Sequence, residues 1–291
     1  MFKNRPTDDS KKSTRLKRPP KLLTQPTQTS IDYFALFLQS RQVSEVSPGT
    51  LQFYKVKLGR FLAEVNTDAA KRQDIESFLL QFTNPGNRHA YYRVIKTFYN
   101  WRERSLDLPS PMKNINAPRL GKLILPSLTR EQVFTLLEFT DNVRNKAVIA
   151  LFTESGLRLT ELTNIKPQDI DWNRHTIRVL GKGKKERFAP FGEMAESHMK
   201  MWLSQYQPNG NIWGLNEWGI TSMLRRLKKA TGIICNPHTF RRTFACLLRE
   251  AGVDVMTIKD LGGWESLEMV QRYTRSVTFN NSLKFYKPPL S

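Results

Sequence analysis

At 291 residues and 39% hydrophobic content, the chain is long enough for two separately cored domains, and it contains no apolar run of membrane-spanning length. Its 46 Lys plus Arg against 26 Asp plus Glu leave a net charge of +20 spread along the chain. That field favours a polyanion, nucleic acid first, through counterion release, although a ribosomal or membrane surface would satisfy the same charge. Two cysteines, Cys235 and Cys246, and four scattered histidines, His89, His175, His198 and His238, argue against a disulfide framework and against a metal site of recognisable ligand spacing. With no secretory leader at its start, the chain reads as a cytoplasmic protein.

Residues 1–26 are rich in Lys, Arg, Pro, Thr and Ser and form a basic flexible arm, either touching DNA or simply solvated. Residues 27–104 read as four helices. "TSIDYFALFLQSR" opens on a Thr/Ser cap, "SPGTLQFYKVKLGRFLAEV" pairs a Ser47 cap with Pro48, and "DIESFLLQF" and "NPGNRHAYYRVIKTFYNWRER" follow. In the second of these, Leu51, Tyr54, Leu58, Phe61, Leu62 and Val65 make an apolar stripe that leaves Lys55, Lys57 and Arg60 outside it. In the fourth, Arg93, Lys96 and Asn100 share a face. Each of these residues alone is an ordinary solvated position. As a set on an aromatic-cored helical module, Lys55, Lys57, Arg60, Arg93 and Lys96 are DNA-binding candidates.

Residues 105–126 carry four prolines and no helical period, which predicts a linker. A second domain over 127–282 starts with a Thr129/Gln132 capping box, continues with a helix stopped at Gly156, and switches to alternation in "HTIRVLGKGKKERFAPF", a β-hairpin around a Gly-Lys turn. Helices resume at about 193–206, 217–231, 239–251, 254–261 and 266–275, leaving 283–291 as a tail. The fold class is therefore mainly α with one small antiparallel β-sheet.

Four stretches of the second domain hold polar residues in need of a reason. In "ESGLRLTEL", Arg158 offers a fork of donors suited to two phosphate oxygens, and Glu161 at i+3 can hold that fork; an isolated surface ion pair is the plainer alternative. In "GKGKKER", a glycine-flanked Lys182, with Lys184 and Lys185 close behind, can reach a neighbouring groove and donate a proton, or can be no more than a basic turn; the Walker spacing is missing. "NPHTFRRTFA" sets His238 and Arg241 on one face at a helix start, where the dipole favours an anion. "GGWESLEMVQRYTR" adds the indole donor of Trp264 and the phenol of Tyr273.

In this order, "SGLRLTEL", "GKGKKER", "HTFRRTFA" and "LGGWESLEMVQRYTR" resemble the motif set of the tyrosine recombinases, the family of phage integrases and Xer-type resolvases. The likeness covers the second domain, and the helical module before it resembles that family's core-binding domain. It implies that Arg158 and Arg241 clamp a phosphate, Lys182 is the general acid, and His238 contacts the phosphate and takes part in proton transfer. Trp264 stands where many members have His, Tyr273 is the nucleophile, and Glu161 supports Arg158. It implies cleavage of duplex DNA through a 3′-phosphotyrosine and a Holliday junction, by a two-domain clamp working as a tetramer on two sites, without a metal or other cofactor. A paralogous recombinase or a directionality factor is a possible partner, and no membrane is involved. Phe279, Leu283 and Phe285 near the end are expected to pack on a neighbouring protomer or on their own domain. Two alternatives stay open: a non-catalytic architectural or regulatory DNA-binding protein on this fold, and DNA relaxation of the type IB topoisomerase kind.

Overall fold

The computed structural model describes residues 32–121, 125–181, 186–284 and 286. The basic arm, the three hairpin lysines Lys182, Lys184 and Lys185, and Phe285 lie outside the described residues. The chain divides into two compact units, Met1–Gly121 and Lys122–Ser291, each with its own core.

The first unit consists of α1 (Tyr33–Val43), α2 (Pro48–Glu64), α3 (Arg72–Leu80) and α4 (Pro85–Leu106). The Thr/Ser cap expected for α1 is replaced by Asp32, whose carboxylate accepts from the Phe34 and Ala35 backbone N–H groups at 3.0 Å each. Two adjacent N–H groups on one charged acceptor are a stronger cap than a hydroxyl supplies. α2 and α4 each start with a capping side chain followed by proline, Ser47–Pro48 and Asn84–Pro85. The core is aromatic: Phe37 meets Phe98 edge-on at 5.5 Å and Phe61 meets Phe78 at 5.0 Å. Of the apolar stripe on α2, Leu58 and Phe61 are fully buried, while Tyr54, Leu62 and Val65 pack around them. Within the stretch read as a linker, Met112 and Ile115 are buried in this same core, and the Tyr92 hydroxyl donates to the Ile115 carbonyl at 2.9 Å. Two apolar side chains among prolines suffice to seat that segment.

The second unit runs α5 (Arg130–Phe139), α6 (Val143–Ser155), α7 (Leu159–Thr163), β1 (Ile170–Asp171), β2 (Thr176–Leu180), β3 (Glu186–Pro190), α8 (Glu193–Gln205), α9 (Glu217–Thr231), α10 (Pro237–Glu250), α11 (Val255–Gly262) and α12 (Leu267–Leu283). The molecule is thus mainly helical, with one three-stranded antiparallel sheet in the order β1-β2-β3. The hairpin gains the two-residue strand β1, too short to leave an alternation in the sequence. α6 is the central helix, buried without interruption from Ala147 to Phe152. Its ends are marked by the Asn142 cap and by left-handed Gly156. α12 runs through Leu283 instead of ending near 275, so Tyr273 sits inside the helix and not at its end. The polar residues that hide this extension bond back along the helix, Thr274 to Val270, Thr278 to Thr274 and Ser282 to Thr278.

Candidate active site

The site is built where α6 ends, α7 begins, α10 begins, and α11 turns into α12. Arg158 caps α7 with β-region backbone, and Glu161 lies one turn on, so the pair forms a local box: the Glu161 carboxylate accepts from the Arg158 backbone N–H at 2.8 Å and from its Nη1 at 2.7 Å. Arg187 on β3 donates to the same carboxylate, Nη2 to Oε2 at 2.8 Å. Burial raises the Glu161 carboxyl pKa, but the hydrogen bond and charge of Arg187, followed by the Arg158 contacts, outweigh it and hold the group below the usual carboxylate value.

Arg241 enters as the fifth residue of α10. Its Nη1 donates to the Gly156 carbonyl and its Nη2 to the Gly262 carbonyl at 2.8 Å. Burial, then the charge of Arg158, pushes its pKa down to about 9, so it stays cationic at neutral pH. At the C-terminal end of α11, three successive carbonyls take three different arginines: Leu261 from Arg187 at 3.3 Å, Gly262 from Arg241, and Gly263 from Arg158 at 3.3 Å. These are carbonyls that the helix end leaves without intrahelical partners, at the negative pole of its dipole, which suits them to hold guanidinium groups.

The same turn delivers Trp264 and leads into α12. Arg241 lies over the Trp264 indole at 4.3 Å, and the indole meets the Tyr273 ring edge-on at 5.8 Å. Gly262 permits this packing, since a Cβ there would stand 1.9 Å from the indole ring, and Gly263 turns the chain with φ +61°. Trp264 is buried, yet its Nε1–H finds no acceptor among the described residues. A buried donor without a partner costs roughly 1–3 kcal/mol. Cys246 fastens α10 to α12 through a contact with the Tyr273 carbonyl at 3.3 Å, and burial pushes its thiol pKa up, away from the reactive thiolate.

His238, the second residue of α10, keeps solvent contact. Partial burial, then the charges of Arg242, Arg241 and Arg158, push its pKa below the free imidazole value, so the ring is neutral at pH 7. The structure therefore brings Arg158, Glu161, Arg241, Trp264 and Tyr273 together, with His238 inside the same positive field. Arg187 is the member that the sequence reading passed over, as one more charge of a basic turn.

On the first unit, Lys55 and Arg93 are exposed and make no salt bridge among the described residues. The other three candidates are partly engaged at home. Lys57 donates to Asn87 at 2.5 Å and lies over the Tyr91 ring, Arg60 pairs with Glu64 at 3.1 Å, and Lys96 reaches the Tyr92 hydroxyl at 3.4 Å. Among the described residues no helix is long and apolar enough to cross a membrane.

Comparison with known proteins bears on this arrangement. The phage integrase family model matches residues 126–278. The chain is 32% identical over 200 residues to the tyrosine recombinase XerC of Staphylococcus epidermidis, covering 62% of this chain and 68% of that protein. It is 28% identical over 277 residues to the XerC of Oceanobacillus iheyensis, covering 84% and 90%. In fold it is similar to the Tn1549 transposon integrase solved in complex with circular intermediate DNA, with a TM-score of 0.70 at 18% identity over 88% of this chain and 98% of that one.

Proposed function

This chain belongs to the phage integrase family, and we propose that it is a site-specific recombinase that cuts and rejoins duplex DNA through a covalent bond to Tyr273. One observation carries the reading: two arginines, Arg158 and Arg241, converge on the turn that holds the unspent indole donor of Trp264 beside the Tyr273 ring.

A phosphodiester seated there lies in the field of two guanidinium groups whose Nη atoms are held by protein acceptors, so that their fixed positive charge favours the oxygens that gain charge as phosphorus becomes pentacoordinate. The Tyr273 oxygen attacks phosphorus and the bond from phosphorus to the 5′ oxygen breaks. The phenol proton passes to His238, whose neutral ring can accept it, and the departing 5′ oxygen takes a proton from Lys182, a role assigned on its sequence position alone. The product is a 3′-phosphotyrosine and a free 5′ hydroxyl. Attack by a 5′ hydroxyl from a partner strand reverses each step and restores Tyr273, so the bond energy is conserved and no energy cofactor enters.

Exchange between two duplexes calls for two cleavages on each. The reading therefore includes four copies of the chain on two DNA sites and a Holliday junction between the two exchanges, with a paralogous recombinase as an alternative source of two of the copies. The exposed Phe279 and Leu283 on α12 supply an apolar contact for such an assembly. The helical first unit is assigned to DNA binding through Lys55 and Arg93, and the cytoplasm is the site of action in this reading.

A supercoiled plasmid carrying two copies of the cleavage site tests the reaction. Deleted or inverted circles are the expected product. Relaxed topoisomers without exchange would assign the chemistry to relaxation instead.

A further inference from the structure

The Glu161 carboxylate poses a charge problem for a phosphate clamp. Its side chain is 2% exposed and sits against Arg158. A lone Arg158–Glu161 pair is neutral overall and offers a phosphate little net attraction, because the arginine's charge is already answered inside the protein. The structure resolves this with a second arginine. Arg187 is 15% exposed, against 36% for Arg158, and gives Glu161 two contacts, Nη2 to Oε2 at 2.8 Å and Nε to Oε1 at 3.4 Å. Its third nitrogen holds the Leu261 carbonyl. Gly263 leaves room for its shaft, since a Cβ there would stand 2.5 Å from the Arg187 Cδ.

Resting on the recombinase reading above, we infer that Arg187 is a positioning residue for strand cleavage: it neutralises Glu161 so that the charge of Arg158 remains available to the scissile phosphate. Glu161 then orients Arg158 without cancelling it. The more buried arginine serves the carboxylate and the more exposed one serves the substrate. Arg187 touches no reacting atom. Its strand position explains why it can do this: Arg187 pairs with Val179 and shares its inward face with Ala189, so the guanidinium is directed into the protein and away from bulk water.

The test compares two synthetic duplexes carrying the mapped cleavage site, one with an ordinary scissile phosphodiester and one with a methylphosphonate there, which lacks one negative charge and so needs less positive clamp. Covalent adduct formation is timed for the wild type, Arg187→Gln and Arg187→Lys, with DNA affinity measured alongside. On the phosphodiester, Arg187→Gln is expected to slow by on the order of a hundredfold, the scale of a misplaced catalytic group. It should bind DNA within about twofold of wild type, because counterion release from one inward residue is small. On the methylphosphonate the deficit should shrink below about tenfold, and Arg187→Lys, which keeps the charge, should recover most of the phosphodiester rate. Equal deficits on both substrates, a lysine variant as slow as the glutamine one, or no deficit at all would overturn the inference. Absence of adduct in the wild type would instead count against the recombinase reading beneath it.

Discussion

Glu161 contacts two guanidinium groups and lies within the field of a third, Arg241. Removing it leaves those charges facing one another in a largely buried site, and Glu161→Ala is expected to lose about 3–5 kcal/mol of stability in urea unfolding. Because the folded-state pKa lies below the ordinary carboxylate value, the unfolded chain binds more protons in the acid range. The contribution is complete above the ordinary value, about 4.3, and fades as pH falls through the folded one. Melting temperatures of the wild type and Glu161→Gln should accordingly differ by a constant amount above about pH 4.3 and draw together as pH falls below it. His238 makes a different pH prediction. With its pKa pushed down, the neutral proton acceptor persists to lower pH than free imidazole allows, so the acid limb of cleavage is expected below about pH 6.5 and should vanish in His238→Gln. A limb centred above that value would contradict the assignment of the base.

Among the elements, the turn between α11 and α12 does most to assemble the site. Gly262→Ala would drive a methyl into the Trp264 indole. Displacing that ring shifts Tyr273 with it, and a fall in adduct rate on the order of a hundredfold is expected, with a stability cost of about 1–3 kcal/mol by thermal unfolding. Much of this was legible beforehand because it is local. The Ser47–Pro48 start, the Thr129–Gln132 box, the Gly156 stop and the i, i+3 spacing of Arg158 and Glu161 are all written within a few residues. What escaped was written across the chain. The partners of Arg187 are 26 residues before it and 74 after it. The reach of α12 past Tyr273 was hidden by hydroxyls that bond to their own helix. The clue to Arg187 lay in strand alternation: an arginine on the inward face with Ala189 needs a buried carboxylate, and Glu161 was the one at hand.

At the scale of the whole molecule, the proposed reaction divides the charge of +20 between a few residues assigned to one phosphate and many assigned to the polyanion. In the recombinase reading, the exposed Lys55 and Arg93 are proposed for the second group. Replacing both with alanine should weaken DNA binding about equally across sequences and lower the slope of log affinity against log salt by about 2, leaving cleavage of bound DNA nearly unchanged. An unchanged slope would remove the first unit's basic face from the DNA contact. The proposed chemistry depends on one oxygen atom, the Tyr273 hydroxyl. Purified protein is incubated with DNA bearing its site, without divalent metal, and quenched in detergent, and DNA-linked protein is sought in the wild type and in Tyr273→Phe. Adduct is expected in the wild type, with the link on the 3′ phosphate, and none in the variant. An adduct of equal yield from Tyr273→Phe would contradict that chemistry.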